Sequence, residues 1–246
     1  MGTVDALGLG ATRFRIGDRI GMAWLRPACG RCRFCGSGRE NLCAESTYTG
    51  WTHDGGDAEA TPLLCAGIIG YRALRRSHVP PGGRLGLYGF GSSAHITLQV
   101  ARHWGCAVYV ATRERSRQRL ALDLGAVWAG APGDPLPDRL DATIVFAPVG
   151  SLVPLALRDL DKGGTVALAG IHMTDLPAMS YEPHLFWEKT LQSVTANTRA
   201  DGEALLAEAA AIPIRARITR YALADANRAL ADVKLSKVEA TAVLVP

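Results

Sequence analysis

The sequence of 246 residues has no uninterrupted apolar stretch long enough to cross a membrane as a helix. Its opening residues, MGTVDALGLGATRFR, lack the basic start and apolar core of a signal peptide. Met1-Gly2 begins like an acylation site, but Ala6 stands where Ser or Thr is required. An excess of one charge is also missing: 27 Lys and Arg against 23 Asp and Glu leave +4. The basic residues are scattered, and Arg113, Arg115, Arg117 and Arg119 come nearest to a run, so charge makes no case for nucleic acid. These absences lead to the expectation of a soluble, cytoplasmic protein with neither a membrane nor a nucleic-acid partner. What is present is 48% apolar and 20% charged residues, which excludes a disordered or collagen-like chain and is enough to bury a sizeable core. The length fits one large domain or two modest ones.

Residues 1 to about 62 read as short strands and turns. Gly17-Asp18 between Phe14/Ile16 and Ile20/Met22 has the pattern of a hairpin. From residue 63 apolar runs alternate with helical periodicity, the mark of βαβ units and a parallel sheet. Strands are expected at 85–88, 106–111, 141–146 and 165–170. Between them fall a helix with Ile96, Val100 and Trp104 on one face, one capped by Ser116, and one capped by Ser151 and ended by Gly163-Gly164. A helix capped by Asp201, the strand-like RITRYAL, a helix with Ala226, Leu230 and Val233 on one face, and a closing strand at 241–245 complete the chain.

Two motifs carry chemistry. Six cysteines are present, and four of them, Cys29, Cys32, Cys35 and Cys43, are spaced so that their thiolates can close a tetrahedron around Zn²⁺. No histidine interrupts the set, which describes a closed structural site. Free thiols, disulfides and an iron–sulfur cluster are the alternatives. The long gap before Cys43, and Ala44 where a cluster run has Pro, argue against the last. The second motif is Gly89-Phe90-Gly91-Ser92-Ser93-Ala94, directly after a strand and opening a helix. Gly89 permits the tight turn, Gly91 the approach of a pyrophosphate and Ala94 close helix–strand packing; the loop, with Ser92 counted among its cofactor-binding residues, opens a helix at 94–104. The next strand ends in Thr112-Arg113, a hydroxyl and a cation where NAD-binding chains carry an acid. Arg113, with Arg115 as a second candidate, can pair with a 2′-phosphate, which favours NADP(H) over NAD(H).

The cysteine lobe together with PLLCAGIIGYRAL (62–74), LGLYGFGSSAH (85–95), GIHM (170–173) and TRADGEALL (198–206) resembles the zinc-containing medium-chain alcohol dehydrogenases, in particular the bacterial zinc-binding ones. The resemblance implies an α/β fold: a Rossmann doubly wound parallel sheet at 66–196 plus an incomplete GroES-like β-rich catalytic domain. Residues 1–65 supply part of that domain, with the zinc lobe, and 197–246 return to complete it. It also implies hydride transfer between an alcohol and an aldehyde or ketone, a small-molecule substrate, and a homodimer as one expected assembly.

By the same resemblance, Cys65 in PLLCAG is the surviving ligand of a catalytic zinc. The family's other two ligands, a cysteine and a histidine in Gly-His-Glu, would lie before Met1, so the chain is expected to be truncated. A second departure is an internal deletion near Asp57. A catalytic zinc needs three protein ligands and an open position. His53, His172 and His184 are not at the family's ligand position; His53-Asp54 lies in a loop that could approach the cleft, but rescue of the zinc by it is not expected. Cys65 without partners, and Cys106 on a strand, would be small buried hydrophobes, and His95 and His103 surface or packing residues. Apolar surface left uncovered at 1–62 is expected to give aggregation, oligomerisation or disorder. Two other functions follow from the same residues: a non-catalytic NADP-binding, zinc-stabilised remnant, and a zinc-independent quinone-reductase-like oxidoreductase.

Overall fold

The computed structural model describes residues 2–8, 10–21, 25, 27–47, 61–212 and 214–245. The expectations concerning Met22, His53, Asp54 and Asp57 lie outside the described residues. Two short strands, β1 (Gly2–Thr3) and β2 (Arg19–Ile20), pair antiparallel. The expected hairpin is corrected here. Gly17 donates to the Val4 carbonyl and Val4 to that of Asp18, so the turn closes on residues 2–4 while Phe14 and Ile16 stay exposed. The cysteine lobe holds one turn of helix, α1 (Arg33–Gly36), and a 3₁₀ turn at Glu40–Leu42.

A π-helical turn, Leu63–Gly67, leads into α2 (Ile68–Arg76). Then come β3 (Arg84–Tyr88), α3 (Ser92–His103), β4 (Ala107–Ala111), α4 (Arg115–Asp123), β5 (Trp128–Gly130), β6 (Leu140–Val145), α5 (Leu152–Asp159), β7 (Leu160–Leu168) and β8 (Thr190–Ser193). β3 to β8 form one parallel sheet in the order β5-β4-β3-β6-β7-β8. Strand order reverses between β3 and β6, the switch point of the Rossmann arrangement.

The sheet is buried on both faces, which is why its central strands read as apolar runs. Leu85, Leu87, Val108, Val110 and Ile144 pack with Leu74, Leu98 and Val100 of α2 and α3. Tyr88, Tyr109, Val145 and Val166 pack on the other face with Val153 and Leu157 of α5. Each fully buried aliphatic side chain contributes roughly 1.5–3 kcal/mol by leaving water.

Several boundaries differ from expectation. Glu114, not Ser116, is the N-cap of α4. α5 stops at Asp159, and Gly163-Gly164 lie inside β7, where the pairing with β6 shifts register. β5 and β8 were not expected at all. After β8 comes α6 (Arg199–Ala211), whose N-cap is Thr198 rather than Asp201. Asp201 sits one turn in: its amide donates to Thr198 Oγ1 at 3.2 Å and its carboxylate accepts from the Thr198 amide at 2.8 Å. Burial opposes ionisation of Asp201, but the Thr198 hydrogen bonds and the Arg72 guanidinium at 2.6 Å outweigh it and hold the carboxyl below the usual range. β9 (Ile218–Ala222), α7 (Ala226–Lys234) and β10 (Thr241–Val245) end the chain, with β9 and β10 parallel. Here too a pattern misled: Leu230 and Val233 of α7 face solvent, and Ala229 is the buried residue.

Candidate functional site

The four lobe cysteines come together as their spacing implied. Cys32 caps α1, Cys35 lies on it, and the 3₁₀ turn delivers Cys43, which is buried. The sulfurs all lie within 4.8 Å of one another, with 3.6 Å between Cys32 and Cys35 and 3.9 Å between Cys29 and Cys35. A tetrahedron with Zn–S bonds of about 2.3 Å has edges of roughly 3.8 Å, so the donor set fits zinc. Without an ion the thiols share protons unequally. Amides of Arg31 and Cys32 lower Cys29 to about 7, while desolvation pushes Cys35 up to about 12. Arg33 and Arg39 lie over the Phe34 ring, at 4.7 and 5.6 Å. These cations suit a site whose four thiolates around a divalent ion leave two negative charges.

The lobe is docked onto the segment entering α6. The Asn41 amide donates to the Thr195 carbonyl at 2.7 Å, and buried Glu40 accepts from the Arg199 amide at 2.8 Å.

Cys65 is placed differently. It lies exposed in the π-helical turn before α2, and desolvation by the surrounding protein raises its thiol above the ordinary value. It is therefore not the small buried hydrophobe expected of an unpartnered cysteine. Cys106 is buried, as expected. Among the described residues, the lobe cysteines are the one group of three or more metal-binding side chains whose donor atoms converge. Cys65 belongs to no such group, so the described residues do not fit a catalytic zinc.

At the switch point a cleft of about 780 Å³ opens at the carboxyl ends of β3, β4, β6 and β7. Gly89, Gly91, Ser92, Ala94, Thr112 and Arg113 all line it. Gly89 has φ +89°, and a Cβ there would stand 2.8 Å from the Ala147 Cβ and amide. Gly91 is the N-cap of α3, at φ −122°, and a Cβ there would meet nothing within 4 Å among the described residues. No side chain caps α3. Its first amides, at the positive end of the helix dipole, therefore remain available to an anion, and the open space at Gly91 lets one approach. This donor set fits a dinucleotide pyrophosphate. Ala94 is fully buried, as close packing under the loop requires.

At the other end of the cleft, Thr112 follows β4, its amide bonded to the Gly130 carbonyl at 2.8 Å. Arg113 extends into solvent with its side chain 82% exposed. Three features of the cleft were not foreseen. Glu114 lines it, its Oε2 3.4 Å from Thr112 Oγ1. Phe146 to Val149 line it as well, and Ser236 joins the lining from the C-terminal segment.

The polar face of α3 is tied to the C-terminal segment. Ser92 Oγ lies 2.6 Å from Thr241 Oγ1, the Arg217 amide donates to His95 Nε2 at 3.2 Å, and the Arg215 amide donates to Gln99 Oε1 at 2.9 Å. His95 is a packing residue with no exposure, its Nδ1 3.1 Å from the Gly91 carbonyl. Those two partners require a neutral ring protonated on Nδ1. Burial pushes the His95 pKa down from 6.5, against the hydrogen bonds the ring donates to the Gly91 and Ser92 backbone, which raise it. In the unfolded chain this histidine takes its proton first as pH falls. The contribution of His95 to stability is therefore expected to be constant above pH 6.5 and to drop below it, through the lowered folded pKa, by up to about 1.4 kcal/mol per pH unit. Urea unfolding of the native chain and of His95→Gln between pH 7.5 and 5 checks this; an equal slope in both assigns the effect elsewhere.

The strand order and the glycine loop at its reversal define a Rossmann dinucleotide-binding fold beside a cysteine lobe. The zinc-binding dehydrogenase family matches residues 94–211, and the alcohol dehydrogenase GroES-like domain matches residues 1–67. The probable alcohol dehydrogenase AdhA of Mycobacterium tuberculosis (strain CDC 1551 / Oshkosh) is 50% identical over 94% of this chain and 73% of its own. An alcohol dehydrogenase of Geobacillus stearothermophilus is 30% identical over 99% of this chain and 80% of its own. A cinnamyl alcohol dehydrogenase of Sorghum bicolor superposes with a TM-score of 0.88 at 26% identity, covering 99% of this chain and 79% of that one. The chain belongs to the zinc-type medium-chain alcohol dehydrogenases, a family of oxidoreductases, and combines a Rossmann sheet with a GroES-like part. Among the described residues no helix is long and apolar enough to cross a membrane.

Proposed function

We propose that this chain is a cytoplasmic, NADP(H)-binding oxidoreductase that interconverts a small alcohol with an aldehyde or ketone. The switch-point cleft carries this reading: an uncapped helix start and an open glycine lie at its centre, and a hydroxyl and a cation at one end. Membership of the alcohol dehydrogenase family supports the substrate class. Residues 66–196 serve as the nucleotide domain, and 1–65 with 197–246 as the catalytic part.

The amides of α3 receive the pyrophosphate, Thr112 and Arg113 face the adenosine ribose, and the apolar wall of Phe146, Val149 and Leu152 excludes water from the opposite end. When bound, the nicotinamide supplies hydride transfer, and a zinc in the lobe supplies a structural cross-link.

A second reading, nucleotide binding without alcohol turnover, is favoured by the position of Cys65 outside any ligand set that converges among the described residues. Fluorescence titration with NADPH, followed by assay of NADP⁺ reduction over primary and secondary alcohols, separates the two. Saturable binding with alcohol-dependent reduction is the expected result. Binding without turnover across the panel selects the second reading, and no binding of any pyridine nucleotide overturns both.

A further inference from the structure

We infer that Glu114 is a specificity-determining residue that acts as an internal anion in the subsite for the nucleotide's 2′ substituent. The inference rests on the reading of the 89–94 cleft as a dinucleotide site. In such folds the group that tells the two nucleotides apart follows the second strand, about twenty residues beyond the glycine loop. Here that place is occupied by Thr112, Arg113 and Glu114 at the end of β4, all lining the cleft.

The two donors suited to a 2′-phosphate are the Thr112 hydroxyl and the Arg113 guanidinium. Both already face Glu114. Thr112 Oγ1 donates to Glu114 Oε2 at 3.4 Å, and Arg113 Nη2 lies 3.6 Å from Glu114 Oε1. The Glu114 side chain is held closer in, 29% exposed against 82% for Arg113. Two nearby cations have other partners: Arg117 donates to the Val238 carbonyl at 3.1 Å and Lys237 lies 3.6 Å from Asp232.

A 2′-phosphate must therefore displace a carboxylate of its own charge from both donors. A free 2′-hydroxyl can instead donate to that carboxylate. Glu114 thus narrows the preference for NADP(H) that Thr112 and Arg113 create and keeps NAD(H) as a usable partner.

The experiment measures dissociation constants for NADPH and NADH on the zinc-loaded chain and on Glu114→Gln, which keeps the shape and removes the charge. The expected result is a native preference for NADPH below about tenfold and, in the variant, NADPH binding tightened about tenfold with NADH unchanged or weaker. Arg113→Gln should weaken NADPH alone. Thermal melts that stay within a few degrees show that both variants fold. A selectivity ratio unmoved or lowered in Glu114→Gln overturns the inference while leaving the cleft reading intact. Failure of native chain and variants alike to bind either nucleotide overturns the cleft reading itself.

Discussion

Replacing Cys43 with serine is expected to bring bound zinc from one equivalent per chain to none, measured by metal analysis of the purified protein. Structural zinc sites bind with apparent free energies of roughly 10–16 kcal/mol, most of which appears as folding energy of the segment that supplies the ligands. Here that segment has one turn of helix and one 3₁₀ turn, too little apolar burial to hold four sulfurs within 4.8 Å unaided. Loss of the ion should open residues 29–43 to proteolysis while the six-stranded sheet keeps its circular dichroism. Iron and a brown colour in the native protein would make the lobe a cluster site. Retention of a full zinc equivalent by the serine variant would show that Cys43 is not a ligand.

The second large effect is expected at the glycine loop, where two glycines should fail in different ways. Gly89→Val forces a branched side chain into a left-handed conformation and drives its Cβ to 2.8 Å from Ala147. Strain of that kind costs on the order of 1–3 kcal/mol before the clash is counted. The variant should unfold earlier and lose NADPH binding by at least about a hundredfold. Gly91→Ala meets nothing within 4 Å among the described residues and has ordinary extended backbone, so its stability should stay within about 0.5 kcal/mol of the parent. It should nonetheless lose NADPH affinity steeply, because the methyl group fills the space through which a pyrophosphate approaches. Equal affinity in Gly91→Ala and parent would move the phosphate site elsewhere.

The central strands were legible because a strand covered on both faces is written as an apolar run: β3, β4 and β6 could be placed within about two residues. β5 and β8 are three- and four-residue edge strands with no such run. The supposed hairpin failed because alternation at Phe14/Ile16 says nothing about which distant segment pairs, and here it is residues 2–4. α7 shows the same limit, since the helical period marks an apolar stripe without saying that anything covers it.

In the site, the cysteines and glycines were found because their chemistry lies in local spacing. Glu114 was missed, although its charge opposite to Arg113 was a usable signal, because the rotation of a loop after a strand is not written in its neighbours. Ser236, which lines the cleft, and Thr241, which bonds Ser92, are not legible there because they come from more than a hundred residues away. For His95 the sequence leaves surface and packing roles open, and the amide of Arg217 on its ring with full burial decides for packing.

The docking of Glu40 and Asn41 has a temporal consequence. Asn41 and Thr195 are separated by 154 residues of chain. At a synthesis rate of about 5–20 residues per second, the lobe waits roughly 8–30 s on the ribosome before its partner surface exists. The cysteines, clustered in a short bend, need no such wait, so capture of the ion can come first. Until then two side chains that finish as buried, Glu40 and Asn41, remain wet, and as polar groups they keep the unfinished nascent lobe from offering a sticky surface.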